Sequence, residues 1–243
     1  MKTTFLILAL LLAQDGTNKK HSGTNVTAGI QTSYEDNRGA AITALQAGDL
    51  EKAADLYQRN IDLGKAQKPP SQFEIAEASS DLARVRQSQR RFDEAEELYQ
   101  QSIKAYESDP KPNEDVIALN YQGLAMIYLA KSEYAKAEPM FQQSLLLHTK
   151  ERDKAPSPQM KQFIGVNIER DLFGLASARF QAGDPLGASE YCDKAIKAAD
   201  ESVISKREMI QIFTNCAEVK RTAGKKEDAA ELYKRRELMR DSQ

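Results

Sequence analysis

The sequence predicts an all-α protein, a right-handed solenoid of about five helical hairpins, and two observations support this class. The first is composition, because the good helix formers Ala, Leu, Glu, Lys and Gln dominate the 243 residues while Val and Thr are sparse. The second is repetition: residues 131–145 (KSEYAKAEPMFQQSL) repeat the pattern of residues 89–103 (QRRFDEAEELYQQSI), 42 positions earlier. A helical pair that recurs in this way buries its apolar face against the next pair.

Three columns of residues define the repeat. An anchor alanine recurs in the second helix of each pair, at steps of 42, 42, 51 and 41 residues. Another alanine lies twelve positions before each anchor, and a bulky or apolar residue lies four positions after it. Facing alanines let two helices approach closely, and the bulky residues fill the space between pairs. The anchors are Ala53, Ala95, Ala137, Ala188 and Ala229, and the earlier alanines are Ala41, Ala83, Ala125, Ala176 and Ala217.

The breaks between helices carry turn and capping signals. Three breaks contain a glycine suited to the left-handed conformation that ends a helix, namely Gly48, Gly183 and Gly224. Polar residues that can cap the following helix are Asp49, Ser71, Ser157 and Asp184, and Ser71 with Glu74 has the spacing of a capping box. Pro139 lies inside sequence that is otherwise predicted to be helical. We expect it within the first two turns of its helix, where a proline is best tolerated.

These columns resemble tetratricopeptide repeats. The features that carry the resemblance are the alanine pair, the Leu-Ala step, the polar or glycine turn, and the aromatic residues Phe92, Tyr99, Tyr134 and Phe141 around the anchors. A period near 42, longer than the usual ~34, is similar to the long-helix variety found in kinesin light chains. The resemblance implies one solenoid domain over 34–243, with repeats at about 34–68, 71–109, 113–151, 157–200 and 202–240.

The N-terminus has the order of a short secretory signal. Lys2 is followed by the apolar run Phe5–Ala13 and then by polar sequence, so residues 1–13 are interpreted as a signal peptide and the protein as exported, periplasmic or secreted. The alternative is a cytoplasmic protein with an apolar tail. Residues 14–33 lack apolar periodicity and are predicted to form a flexible tether.

The resemblance also implies a ligand groove, because the first helices of tetratricopeptide repeats line the concave face. The positions that project there form an apolar centre bordered by arginine and glutamine. They are Arg38, Arg84, Gln87, Leu119, Gln122, Met126, Arg170, Phe173, Phe180 and Arg221. Such a surface suits another protein or a peptide with apolar anchors and some acidic residues. The alternative is that the aromatic residues pack against neighbouring helices.

Nothing in the sequence indicates catalysis, a cofactor or a metal. There are two histidines, and we find no Gly-rich phosphate loop, HExxH, CxxC or Ser/His/Asp set. A net charge of −2 gives no reason to expect nucleic-acid binding, and no apolar run is long enough to span a membrane. We therefore predict a non-enzymatic scaffold, exported or, alternatively, an intracellular adaptor or assembly chaperone. A hydrolase or transferase with an unrecognised site is the third hypothesis.

Cys192 and Cys216 lie in columns that pack against each other, so their sulfur atoms are expected to approach. In an oxidising compartment they could form a disulfide. The alternative is a pair of buried, reduced thiols that behave as small apolar residues.

Overall fold

The computed structural model describes residues 25–109 and 112–241, with side chains from Ser33 onward. These residues form helices, without a strand in the described ranges, in two compact units divided after Asp109. Unit 1 contains α1 (Asn25–Gln46), α2 (Leu50–Ala66), α3 (Gln72–Ser88) and α4 (Phe92–Glu107). Unit 2 contains α5 (Glu114–Ala130), α6 (Tyr134–Lys154), α7 (Pro158–Gln181), α8 (Pro185–Asp200), α9 (Lys206–Thr222) and α10 (Lys226–Asp241).

The turn inside each hairpin has the same backbone conformation in all five repeats. A residue with positive φ lies five positions before each anchor alanine. As predicted, glycine occupies this position in three repeats, as Gly48, Gly183 and Gly224. In the second and third repeats Arg90 and Ser132 adopt the same conformation, with φ of 62° and 63°. The turn therefore has the same backbone geometry in all five repeats, even where arginine or serine replaces the glycine that a positive φ favours.

The predicted helix caps are present with one correction. The side chains of Asp49, Ser71, Ser157 and Asp184 each accept a hydrogen bond from a backbone N–H in the first turn of the following helix. Ser71 and Glu74 do not form the predicted capping box, because the Glu74 carboxylate bonds to Gln67 instead. A capping box does form at Ser205 and Glu208, at the start of α9. Pro139 lies in the second turn of α6, as expected.

Unit 1 is held by a core between its two hairpins. Tyr34 and Ala41 of α1 pack with Tyr57 of α2 and with Leu82 and Val85 of α3, all nearly inaccessible to solvent. The hydroxyl of Tyr34 donates to Glu77 and to the backbone carbonyl of Glu74, so the polar end of this buried ring is satisfied. These contacts fix α1 and α3, the first helices of the two repeats, side by side.

In unit 2, two helices longer than the others accommodate the 51-residue step between the anchors Ala137 and Ala188. α6 has 21 residues and α7 has 24, against 16 or 17 in the other helices of the unit. Only Ala155–Ser157 separates the two. The alanine columns are buried as predicted, and one core joins α7, α8, α9 and α10 around Phe213. The extra residues therefore lengthen the second helix of the third hairpin and the first helix of the fourth.

The N-terminal predictions fall mostly outside the described residues. Helix α1 begins at Asn25, so residues 25–33, predicted as part of the tether, are helical. The proposed signal peptide (1–13) and the rest of the tether lie outside the described residues. Within the described part of the chain, no helix has the length and apolar character needed to cross a membrane.

Candidate protein-binding face

The first helices of unit 2 are joined directly by side-chain contacts. Gln122 of α5 donates to the Asp171 carboxylate of α7 at 2.7 Å, and Arg170 of α7 lies 3.6 Å from Glu208 of α9. Beside these contacts lie apolar side chains that are only half-buried. We name the surface that they form with Arg170 the first-helix face, and it comprises Leu119, Met126, Arg170, Phe173 and Phe180.

The two phenylalanines of this face also take part in the core. Phe173 packs against two buried clusters around α7 and α8, and Phe180 packs against the cluster shared with α9 and α10. Both rings remain half-buried. Each ring is therefore partly packed against neighbouring helices and partly accessible to a ligand, so both interpretations of the sequence apply.

The arginines that the sequence placed in the groove all form ion pairs within the chain. In unit 1, Arg38 lies 3.3 Å from Glu77 and 3.7 Å from Asp81, and Arg84 lies 2.6 Å from Asp81. In unit 2, the exposed Arg221 pairs with Glu218 at 2.5 Å, and Arg170 pairs more loosely with Glu208. Because internal acids already compensate these charges, the arginines give less preference for an acidic partner than the sequence implied.

Gln87 and Gln122 are a correction to the predicted surface. Both side chains are buried, at 5% and 3% exposure. The Gln87 amide oxygen accepts from the Tyr99 hydroxyl at 2.9 Å, and Gln122 donates to Asp171. These amides satisfy polar groups between helices, so neither contributes to a surface that a ligand can reach.

A buried polar network that the sequence did not reveal joins α5, α6 and α7. One oxygen of Asp171 accepts from Ser144 at 2.9 Å and lies 2.8 Å from Nδ1 of His148, while its other oxygen accepts from Gln122. The Ser144 hydroxyl and the His148 ring are fully buried, as is Asp171. The network locks three helices together through hydrogen bonds rather than apolar contacts alone.

This network contains the residue types of a serine hydrolase but not the arrangement. In a catalytic triad the serine contacts one ring nitrogen of histidine and the aspartate contacts the other. Here Ser144 and Asp171 both lie near Nδ1 of His148, and Nε2 is buried without a hydrogen-bond partner among the residues that the structure describes. Because Ser144, His148 and Asp171 are all inaccessible to solvent, we interpret the network as structural.

Glu169 is a buried acid beside the first-helix face. Its side chain is 6% exposed, and burial raises its pKa to about 8, with further contributions from Glu208 and Asp171 and an opposing one from Arg170. A charged carboxylate is costly in such a buried place, so the protonated form is favoured near neutral pH.

We expect Glu169 to make the stability of unit 2 fall as pH rises. The folded-state pKa lies above the ordinary value of 4.5, so the contribution is complete below pH 4.5 and is lost as pH rises toward about 8. The loss approaches about 1.4 kcal/mol for each pH unit in that window. Urea unfolding at pH 5.5 and pH 8 should show a smaller difference for Glu169→Gln than for the native chain. Equal pH dependence in the two proteins would contradict this assignment.

The two cysteines occur as free thiols in the structure. Cys192 and Cys216 are both fully buried, and burial together with a hydrogen bond to Cys192 raises the pKa of the Cys216 thiol. The columns thus bring the pair together as predicted, in the reduced form that the sequence left as the alternative. Within the described residues, no group of three or more His, Cys, Asp and Glu side chains is arranged to hold a metal ion.

Comparison with known proteins defines the repeats. Residues 74–150 match the family model described as Tetratricopeptide repeat. A search of curated protein sequences found no match. The similarity to solved structures shows that the chain has the fold of kinesin light chain-type repeat proteins.

Solved structures extend the similarity to nearly the whole chain. BtubC (BKLC) from P. vanneervenii is 19% identical with a TM-score of 0.71, covering 88% of this chain and 89% of that one. A putative kinesin light chain repeat protein of Podosopora anserina is 17% identical, with a TM-score of 0.64 and coverage of 89% and 97%. MamA (41-end) of Desulfovibrio magneticus RS-1 is 13% identical, with a TM-score of 0.63 and coverage of 87% and 97%. The predicted class, an all-α solenoid of tetratricopeptide-like hairpins, is confirmed.

Proposed function

We propose that the chain is a non-enzymatic scaffold whose first-helix face binds an apolar peptide or helix of another protein. The observation that carries this proposal is the row of half-buried apolar side chains on α5 and α7, formed by Leu119, Met126, Phe173 and Phe180. Partly exposed apolar side chains on adjacent helices offer anchors for an amphipathic or extended segment.

The charges around the face set its preference. Arg170 is the arginine of this face, and its 3.6 Å pair with Glu208 is looser than the 2.6 Å pair of Arg84 with Asp81. An acidic residue of the partner would therefore compete with Glu208 for Arg170. Apolar burial, rather than net charge, would supply most of the affinity.

The burial of the polar side chains that could act in catalysis favours a binding role over a catalytic one. The Ser144, His148 and Asp171 side chains that could carry acid–base chemistry are fully buried, and their hydrogen bonds are made within the core. A substrate would have to separate α6 from α7 to reach them.

Substitution of Met126 by glutamate is expected to weaken partner binding on the order of tenfold or more, since a charge would be placed where an apolar anchor is buried. Leu146→Glu is the matched control, because Leu146 lies on the second helix α6 and is 61% exposed. Affinity capture from the native host, followed by titration of the captured partner, compares the two variants with the native chain. Equal loss in both variants, or in neither, would remove the site from this face.

Export through residues 1–13 is also proposed, on the order of charge, apolar run and small residue in that segment. A mature N-terminus near Gln14 in protein isolated from the native host supports export, and an intact Met1 supports the cytoplasmic adaptor or chaperone alternative.

A further inference from the structure

Helix α7 begins two turns earlier than the other first helices of unit 2. It has 24 residues, against 17 in α5 and in α9, and all three helices end five residues after the repeat alanine. The additional residues, 158–164, therefore extend the N-terminal end of α7. They include two large apolar side chains one turn apart, Met160 at 48% exposure and Phe163 at 55%. Neighbouring apolar side chains that remain exposed in this way mark interaction surfaces.

Phe163 is the first member of a row of residues that runs the length of α7. Its members alternate three and four positions apart, and we name them the α7 seam: Phe163, Val166, Arg170, Phe173, Ser177 and Phe180. Ser177 is buried, and the other five side chains are half-buried or exposed. This alternation is the spacing of the a and d positions of a coiled coil, where side chains of one helix insert between those of another.

Helix α5 adds a second apolar row beside the α7 seam. Gln122 of α5 donates to the Asn167 carbonyl and the Asp171 carboxylate of α7, at 3.4 Å and 2.7 Å, so the two helices are in contact. Three half-buried apolar residues of α5 lie seven and three positions apart, namely Leu119, Met126 and Leu129. The equivalent positions of α9 are polar: Gln211, Glu218 and Arg221. The apolar surface therefore runs along α5 and α7 and ends at α9.

The spacing of the α7 seam fits a helical ligand that lies along it. From Phe163 to Phe180 the helix rises about 25 Å, with a seam position about every 5 Å. An extended chain running along α7 places side chains on one face only about every 6.7 Å, so it leaves the register of the seam within three positions. A helix with apolar residues three and four positions apart repeats at the spacing of the seam and stays in register.

The charges near the α7 seam are suited to acidic residues beside the apolar stripe of such a helix. Arg170 occupies the third seam position, and its ion pair with Glu208 is 3.6 Å long. Lys161 in the extension and Arg207 in the first turn of α9 are both exposed. A charged residue within an apolar seam fixes the register of the helix that packs against it.

We propose that the α7 seam and the apolar row of α5 bind an amphipathic α-helix of the partner protein. Its apolar residues recur with heptad spacing over about three heptads, and acidic residues flank them. This rests on the proposed function of the first-helix face and specifies its ligand further. The extension of α7 adds Met160 and Phe163 to the contact, so the lengthened helix has a binding role.

Two peptide libraries, displayed on phage and panned against the full chain, test the proposal. One carries random apolar residues at a and d positions in a background of Ala, Glu and Lys, and the other alternates apolar and polar residues as a strand does. Peptides that bind the native chain and lose binding to Met126→Glu report on the first-helix face. We expect these peptides from the heptad library, and Phe163→Glu should weaken their binding about tenfold or more.

Leu186→Glu is the matched control for Phe163→Glu. Leu186 is 60% exposed and lies on α8, a second helix of unit 2, so its replacement should leave peptide binding unchanged. Because Phe163 is itself more than half exposed, Phe163→Glu should melt at the same temperature as the native chain. A loss of binding in this variant then reports on the contact and not on folding.

Two further substitutions separate a helical ligand from an extended one. Proline at a central f position of a selected peptide breaks its helix without removing an apolar contact, and binding should fall about tenfold or more. Alanine at the same position is the control. Arg170→Glu should weaken a peptide with an acid opposite it, and lysine in place of that acid should restore binding. Without restoration, Arg170 does not face the bound helix and the proposal is contradicted.

The outcomes distinguish this inference from the proposed function. Met126-dependent peptides that come only from the alternating library, tolerate the proline or are insensitive to Phe163→Glu would overturn the inference and leave the proposed function intact. Self-association of the full chain that Phe163→Glu abolishes, measured by sedimentation, would assign the seam to a second copy and would also overturn it. If neither library yields a Met126-dependent peptide, the proposed function fails as well.

Discussion

Replacing Asp171 with alanine is expected to lower the free energy of unfolding of unit 2 by about 3–5 kcal/mol. The carboxylate is the common acceptor for Gln122 and Ser144 and lies 2.8 Å from His148, and all of these groups are buried. Its removal takes away three short contacts at once: Gln122 keeps only the 3.4 Å bond to the Asn167 carbonyl, and Ser144 and His148 keep only their 3.3 Å contact with each other. Each buried polar group that is left poorly bonded costs about 1–3 kcal/mol. Urea unfolding followed by circular dichroism measures the change.

Ser189→Ala is the control for this prediction. The Ser189 hydroxyl is also fully buried in unit 2, but within the described part of the chain it has no hydrogen-bond partner. Its removal should change stability by less than about 1 kcal/mol or be slightly stabilising, because no partner is orphaned. Similar losses for the two variants would mean that the Asp171 network does not hold α5, α6 and α7 together.

Gly174→Ala should destabilise unit 2 by about 1–3 kcal/mol, although alanine is the better helix former. A Cβ atom at this position would lie 2.4 Å from Cε1 and Cζ of Phe141, and that ring is itself buried between helices. Either the ring or the backbone of α7 must move. The melting temperature of the variant should therefore fall.

Gly39→Ala is the matched substitution with the opposite expected sign. Gly39 is exposed within α1, and a Cβ atom there would meet nothing within 4 Å. No steric clash then offsets the gain in helix propensity, so unit 1 should become more stable by about 0.5–1 kcal/mol. Stabilisation by both substitutions would show that α7 can move away from Phe141 at little cost.

The fold could be predicted because it depends on a repeated local pattern. Alanine columns, turn residues and helix caps recur at fixed spacing, and each column has a single physical role that repeats along the chain. Ala53, Ala95 and Ala137, for example, are completely buried at equivalent positions. The left-handed residues Arg90 and Ser132 were not predicted, because their types do not favour that conformation; only alignment with Gly48 and Gly183 identifies them.

The candidate site was less predictable because side-chain pairing is not periodic. Spacing places Gln87 and Gln122 at repeat positions where a ligand contact is expected, but polar groups on adjacent helices draw both amides inward. The partner of His148 is Asp171, on the following helix, and neither residue type distinguishes a buried position from a solvated one. The raised pKa of Glu169 likewise depends on the burial of its side chain, which sequence spacing does not determine.

Hydrogen–deuterium exchange of the full chain, with and without a partner captured from the native host, locates the bound surface without any substitution. Binding at the first-helix face should slow amide exchange in α5 and α7 and leave exchange in α6, α8 and α10 unchanged. Protection confined to α6, α8 and α10, or to unit 1, would contradict the assignment of binding to the first-helix face.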